Sequence, residues 1–298
     1  MAPANHHAYD GRMNPRDHKT EPKVILITGA SSGIGWATAE RLHQSGHRVF
    51  GTSRTPDAQG PEGVTMLPLD VERDESVRAC VGTILSNSGH IDVLVSNAGR
   101  LIFGPSEEVP LVEAQRMFET NFWGTVRMVN TVLPGMRARG EGHLILISSM
   151  AAWVALPLNG FYAASKAALS RYAESLRHET MHLGLHVALV EPGEIATPFW
   201  ENALHTPSRL SEYVPIRDGL HRTLKTMFRS APPPGSLATI IEKIATSADP
   251  DPVYRFGGLA RRIPWMRVLF PARFFERGLR RNFGLDPRSK GIQAEDRA

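Results

Sequence analysis

KVILITGASSGIGWATAERLHQ, Lys23 to Gln44, sets a short apolar run against a glycine-rich loop and then a helical pattern. The run Lys23–Thr28 predicts a buried strand, and Ile34–Gln44 predicts the helix that follows it. Between them lies T-G-A-S-S-G-I-G, in the strand–loop–helix setting that gives such a motif meaning. Gly29 permits the tight turn, Gly33 lets backbone approach a pyrophosphate, and Gly35 allows close helix–strand packing. The helix N-terminus then offers unpaired N–H groups and a positive dipole end to phosphates. Thr28, Gly29, Ser31, Ser32, Gly33, Ile34 and Gly35 are therefore candidate nucleotide-binding residues.

The same alternation continues along the chain. Candidate strands follow at His47–Thr52, Val64–Asp70, Asp92–Asn97, His143–Ser148, His186–Glu191 and Val253–Phe256. Helical patterns lie at Asp74–Ser86, Leu111–Arg139, Phe161–Leu183 and Leu237–Ala248. Near-continuous apolar strands between helices predict an α/β fold, a doubly wound parallel sheet of about seven strands with helices on both faces. The segment 197–234 holds several prolines and weak amphipathic stretches, and reads as a lid or insert above the site. The chain divides into a polar tail (1–22), a catalytic domain (23–257) and a basic, aromatic C-terminal helical extension (258–298).

The second strand ends in GTSRTP, with Ser53 and Arg54 where a carboxylate would accept from a ribose 2′-hydroxyl. An arginine there suits a 2′-phosphate, which favours NADP(H) over NAD(H). Asp70 and Val71, ending the third strand, are placed to meet the adenine; an N-cap role for Asp70 competes with this.

Tyr162 and Lys166 stand four residues apart in FYAASKAAL, one turn apart on one helix face, and Ser149 precedes the tyrosine by thirteen residues. A tyrosine hydroxyl titrates near ~10, too high for ready exchange at neutral pH. A neighbouring ammonium is expected to pull that value down, leaving Ser149 to hydrogen-bond the oxygen being protonated.

Together these residues resemble the short-chain dehydrogenase/reductase family over about Lys23 to Pro198. The matching motifs are Thr28-Gly29-x-x-x-Gly33-x-Gly35, Asn97-Ala98-Gly99, Asn121, Ser149, Tyr162-x-x-x-Lys166 and Pro192-Gly193 followed by Thr197. The resemblance implies a Rossmann-type sheet and hydride exchange with a nicotinamide. It implies Tyr162 as general acid and base, Lys166 as ribose binder, Ser149 as carbonyl polariser and Asn121 as holder of a relay water. Asn97, Ala98 and Gly99 would support the cofactor; Pro192, Gly193, Ile195 and Thr197 would clamp the carboxamide. Thr120 departs from a second Asn common in relatives. Read by itself, Asn121 is a poor helix former inside a long helical pattern, consistent with a functional kink. The stretch 121–149 is most similar to the 17-beta-hydroxysteroid and retinol dehydrogenase branch. A homodimer or homotetramer through Leu111–Arg139 and Phe161–Leu183 is also implied.

Leu101, Phe103, Trp153, Leu156, Phe199 and Trp200 sit beside these motifs and predict a pocket for a lipophilic ketone, aldehyde or alcohol. The function expected is an NADP(H)-dependent oxidoreductase, with NAD(H) use or a nucleotide-binding regulator with idle chemistry as alternatives. Hydrophobic residues at 42% and charged residues at 21% are those of a soluble globular chain. The lone Cys80 excludes an internal disulfide and fits a cytoplasmic setting. The first 22 residues lack the apolar core of a secretory signal, and His6 and His7 fall in that tail; no metal site is expected.

The formal charge of +4 is unevenly placed, since Val253–Ala298 holds eleven Lys and Arg against four Asp and Glu. No recognition motif accompanies this charge, so nucleic-acid binding is not expected. Pro264 and Pro271 are expected to break the extension into short helices packed on the domain; peripheral membrane contact is the alternative.

Overall fold

The computed structural model describes residues 21–55, 58–206 and 210–282. The expected polar tail, with His6 and His7, lies outside the described residues apart from Glu21 and Pro22, and so does 283–298 of the C-terminal extension. The strands are β1 (Val24–Ile27), β2 (Arg48–Ser53), β3 (Thr65–Pro68), β4 (Val93–Ser96), β5 (Ile102–Phe103), β6 (Gly142–Ile147), β7 (Leu185–Pro192), β8 (Leu204–His205) and β9 (Val253–Phe256). The helices are α1 (Gly33–Gln44), α2 (Asp74–Ser88), α3 (Leu111–Phe118), α4 (Gly124–Arg139), α5 (Gly160–Thr180), α6 (Val214–Arg229), α7 (Pro234–Thr246), α8 (Gly258–Leu269) and α9 (Ala272–Asn282).

Seven strands make one parallel sheet in the order β3-β2-β1-β4-β6-β7-β9. Successive residues of a strand point to opposite faces, so each strand feeds two cores. Leu26, Phe50, Leu94 and Leu144 pack with α2, α4 and α5 through Ile84, Met128, Val132 and Leu169. Ile25, Ile27, Val93 and Ile145 pack on the other face with α1 and α7 through Ala39, Leu42, Leu237 and Ile241. Two buried faces explain why the strands read as unbroken apolar runs. The strand order reverses between β1 and β4, which opens a crevice at their C-terminal ends.

The single helix expected over Leu111–Arg139 is two helices joined by a π-helical turn, Glu119–Trp123. The wider turn lies where Asn121 marked a kink. The segment 197–234 contains β8 and α6. β8 pairs with β5 through Ile102–Leu204 and Phe103–His205, a two-stranded element separate from the main sheet. Pro271 does separate α8 from α9, whereas Pro264 sits inside α8 without ending it. A proline removes one helical hydrogen bond, and burial of Ala260, Ile263 and Pro264 against the domain holds α8 through that loss.

Candidate active site

The glycine loop between β1 and α1 forms the floor of the crevice. Gly29 and Gly33 adopt φ of +68° and +57°, a region L side chains rarely enter. A Cβ on Gly35 would stand 2.1 Å from the Gly29 carbonyl oxygen, so only glycine lets α1 start this close to the loop. No side chain caps α1, and its first turn holds no acidic residue, so its N-terminal N–H groups face the crevice unspent. Asn97, following β4, donates from Nδ2 to the carbonyls of Thr28 and Gly29 at 3.0 and 3.1 Å. Thr28 Oγ1 accepts from the amides of Asn97 and Ala98, both at 2.9 Å. These bonds lock the two loops edge to edge.

The cleft above has a volume of about 520 Å³. At one end Gly29, Ser31, Ser32, Gly33, Ile34, Ser53, Arg54, Asp70 and Val71 line it. Asn97, Ala98, Gly99, Pro192, Gly193, Ile195 and Thr197 line its middle. Thr28 and Gly35 lie behind that wall and shape it instead. Arg54 is exposed and makes no hydrogen bond or ion pair among the described residues. Asp70 does not cap α2, whose N-cap is Arg73; its Oδ1 accepts from the Glu72 amide at 3.0 Å in a local turn. The uncapped helix end, the two left-handed glycines and the free guanidinium fit a dinucleotide phosphate chain.

Tyr162 opens α5 half-buried in the cleft, while Lys166 one turn on is buried behind it. Lys166 Nζ donates to the Ile147 carbonyl at 2.9 Å and lies 5.9 Å from the Tyr162 ring centre. Burial holds the ammonium down at about 8. The expectation that Lys166 draws the tyrosine down is corrected here. Burial pushes Tyr162 up to about 12, and the hydrogen bond from Ser149 opposes it only partly. Ser149, two residues past β6, is extended, and its Oγ accepts from the Ala151 amide at 3.1 Å, turning the chain into a short 3₁₀ segment. The adjacent Ser148 Oγ donates to the Lys166 carbonyl at 3.1 Å, which ties β6 to α5 and fixes the spacing of all three residues.

Asn121 is fully buried and does not line the cleft. Its Oδ1 accepts from the Arg100 amide at 2.8 Å. Its Nδ2 donates to the Arg100 carbonyl at 3.0 Å and to Ser165 Oγ at 3.1 Å. The π turn thus holds the 97–100 loop against α5. Thr120 does line the cleft, and its hydroxyl donates to Glu72.

Leu101, Phe103, Leu156, Phe199 and Trp200 line the remaining, apolar end. Trp153 is a correction: it lines no part of the cleft. Its indole N–H donates to both carboxylate oxygens of Glu191 at 2.9 Å, and Arg255 lies over its ring at 5.3 Å. A half-buried indole gains from an acceptor, and Glu191 of β7 supplies one. Leu224, Met227 and Phe228 of α6 complete the apolar wall and went unread, because the amphipathic pattern of α6 does not say where the helix docks. Trp200 stacks on Phe228 at 5.7 Å and meets Phe103 edge-on at 4.8 Å. Leu158, in the loop before Tyr162, holds φ of +67°, a strained geometry beside the site that no motif signals.

The sequence model of the short chain dehydrogenase family matches residues 23–208. The chain belongs to that family. It is an oxidoreductase of alcohol and carbonyl groups. It is 44% identical over 182 residues to a 3-ketodihydrosphingosine reductase of Bacteroides thetaiotaomicron, a match covering 61% of this chain and 67% of that one. Human retinol dehydrogenase 8 is 39% identical over 191 residues, with 60% of each chain covered. The chain therefore spans about three fifths to two thirds of these relatives. A short-chain dehydrogenase from Streptomyces avermitilis superposes with a TM-score of 0.75 at 29% identity, covering 88% of this chain and 97% of that one.

Proposed function

We propose that this short-chain dehydrogenase interconverts a lipophilic ketone or aldehyde and its alcohol, using NADP(H). The observation that carries this reading is one cleft joining a phosphate-binding floor to an apolar end, with Tyr162 and Lys166 between them. When bound, the nicotinamide dinucleotide supplies or accepts the hydride. Gly29, Ser31, Ser32 and Gly33 would hold its phosphates, with Arg54 at a 2′-phosphate and Asp70 and Val71 toward the adenine. Pro192, Gly193, Ile195 and Thr197 would hold the carboxamide.

In reduction, Tyr162 gives its proton to the substrate oxygen and Ser149 donates a second hydrogen bond to that oxygen. Lys166, cationic below about pH 8, stands one helical turn behind Tyr162 and would bind the nicotinamide ribose. Asn121 keeps the 97–100 loop and α5 in register, so that Tyr162 and Lys166 retain their spacing. In oxidation the proton moves in the opposite direction.

The apolar wall of Leu101, Phe103, Leu156, Phe199, Trp200 and α6 favours a substrate without charge near its carbonyl. Relatives named as a 3-ketodihydrosphingosine reductase and a retinol dehydrogenase support a lipophilic substrate. Exposed Leu111 and Val112 on α3 and Trp123 on the π turn support the expected homodimer or homotetramer.

Tyr162→Phe is expected to lower turnover by about 10²–10⁴-fold while NADPH binding stays within a factor of two or so. Turnover near the wild-type rate would overturn the mechanism, and a protein that turns over no carbonyl in a broad panel would favour a nucleotide-binding regulator. Arg54→Asp should raise the NADPH KM by about 10–100-fold and leave the NADH KM nearly unchanged, since it removes a charge-assisted contact only the 2′-phosphate makes. Equal effects on both cofactors would refute the NADP(H) preference.

A further inference from the structure

The outer face of α8 and α9 is apolar and uncovered among the described residues. Trp265, Met266, Val268, Leu269, Phe270 and Phe274 are exposed, Val268 at 75% and Leu269 at 71%. The inner side of the same helices is seated: Ala260, Ile263 and Pro264 are buried, and Leu279 packs on a cluster with Leu101, Phe103 and Leu224. Arg267 Nη1 donates to the Trp153 carbonyl at 2.7 Å, close behind Ser149. The bare side chains are thus held on an anchored platform beside the apolar end of the cleft.

Their surroundings are cationic. Residues 258–282 contain seven arginines, and Glu276 is the one acidic residue among them, a local charge of +6. Arg262, Arg273 and Arg277 make no hydrogen bond or ion pair among the described residues. An exposed apolar patch with a charged rim marks a docking surface. A second copy is disfavoured as the occupant, because a two-fold interface presents a patch to itself and would set +6 against +6. A negatively charged bilayer surface matches both features. It accepts a Trp and two Phe at headgroup depth, and its anionic lipids attract the arginines, whose stems can lie along the apolar face.

We propose that α8 and α9 dock this protein on anionic phospholipid, with the apolar end of the cleft beside the lipid surface. Among the described residues no helix is long and apolar enough to cross a membrane, so this contact lies in the interface plane. Delivery of a lipophilic substrate by this route rests on the proposed oxidoreductase activity; the docking itself does not.

The test is sedimentation of the full chain with vesicles of phosphatidylcholine alone and of phosphatidylcholine mixed with phosphatidylglycerol, without substrate or cofactor. Binding is expected to the mixed vesicles and to weaken with added salt. The combined variant Trp265→Ser/Val268→Ser/Leu269→Ser should abolish it. Arg262→Gln/Arg273→Gln/Arg277→Gln should weaken it by ~100-fold, from ~5-fold per arginine near an anionic surface. NADPH binding by each variant, expected unchanged, reports that it is folded. Absence of binding to mixed vesicles overturns the proposal, as does binding that is indifferent to phosphatidylglycerol or unaffected by both variants. So does an oligomer that the serine variant converts to monomer without any vesicle binding, which assigns the face to a second copy. None of these results bears on whether the cleft reduces carbonyls.

Discussion

At the scale of single residues, Lys166 shows catalysis and stability in opposition. Its ammonium is buried, with one carbonyl acceptor and its pKa held at about 8 against an ordinary 10.5. The unfolded chain therefore binds that proton more tightly than the folded one between these values. Stability is highest above pH 10.5 as far as this group is concerned, falls as pH drops toward 8, and below 8 the whole deficit is present. Lys166→Met should remove the deficit: in urea titrations at pH 7 the variant is expected to be more stable by about 1–3 kcal/mol, an advantage that fades toward pH 10.5. Turnover should collapse in the same variant. A methionine variant less stable than wild type at pH 7 would mean that the Ile147 bond outweighs the cost of burying the charge.

At the scale of elements, the start of α1 against β1 and β4 sets the nucleotide floor. An added Cβ at Gly35 would meet the Gly29 oxygen at 2.1 Å and Asn97 Nδ2 at 2.7 Å, so α1 must move or the Asn97 bonds must break. Gly35→Ala is expected to cost about 1–3 kcal/mol and to weaken dinucleotide binding strongly, read by thermal melts with and without NADPH. Gly82→Ala, on the exposed side of α2 with nothing within 4 Å of its Cβ, should instead stabilise by about 0.5–1 kcal/mol with binding unchanged. The motif spacing made the first glycine legible in the sequence. The π turn at Asn121 was legible only as a weak helix former, because a π bulge leaves no composition signature beyond that.

At the scale of the whole molecule, the apolar end of the cleft is a second layer fastened to the sheet domain at few points. Glu108 and Arg217 form a buried ion pair joining the segment after β5 to α6, and both bond the Thr206 hydroxyl. Glu108 also accepts from the Leu210 amide. Removing one partner leaves an uncompensated buried charge, costing about 3–5 kcal/mol. Arg217→Met should therefore loosen α6 and β8 selectively: amide exchange over 204–229 rises while β1, β4 and β6 stay protected. Substrate KM should rise and NADPH affinity hold. Uniform loosening of the sheet would refute this division of the molecule.

What the sequence determined by itself is what local physics encodes. Alternating buried strands and helices specify the doubly wound sheet, glycines specify backbone conformations that L side chains rarely adopt, and helical spacing puts Tyr162 and Lys166 on one face. The tertiary structure alone decided which way long side chains turn and what they meet. Trp153 adjoins the Ser149 loop in sequence yet faces Glu191 and Arg255, because its indole N–H meets the buried Glu191 carboxylate. Leu224, Met227 and Phe228 wall the cleft from far along the chain, since docking of α6 rests on a buried pair whose members lie 109 positions apart. The Tyr162 pKa went up where the nearby charge alone would have lowered it, because desolvation depends on everything packed around a group and spacing records only one neighbour.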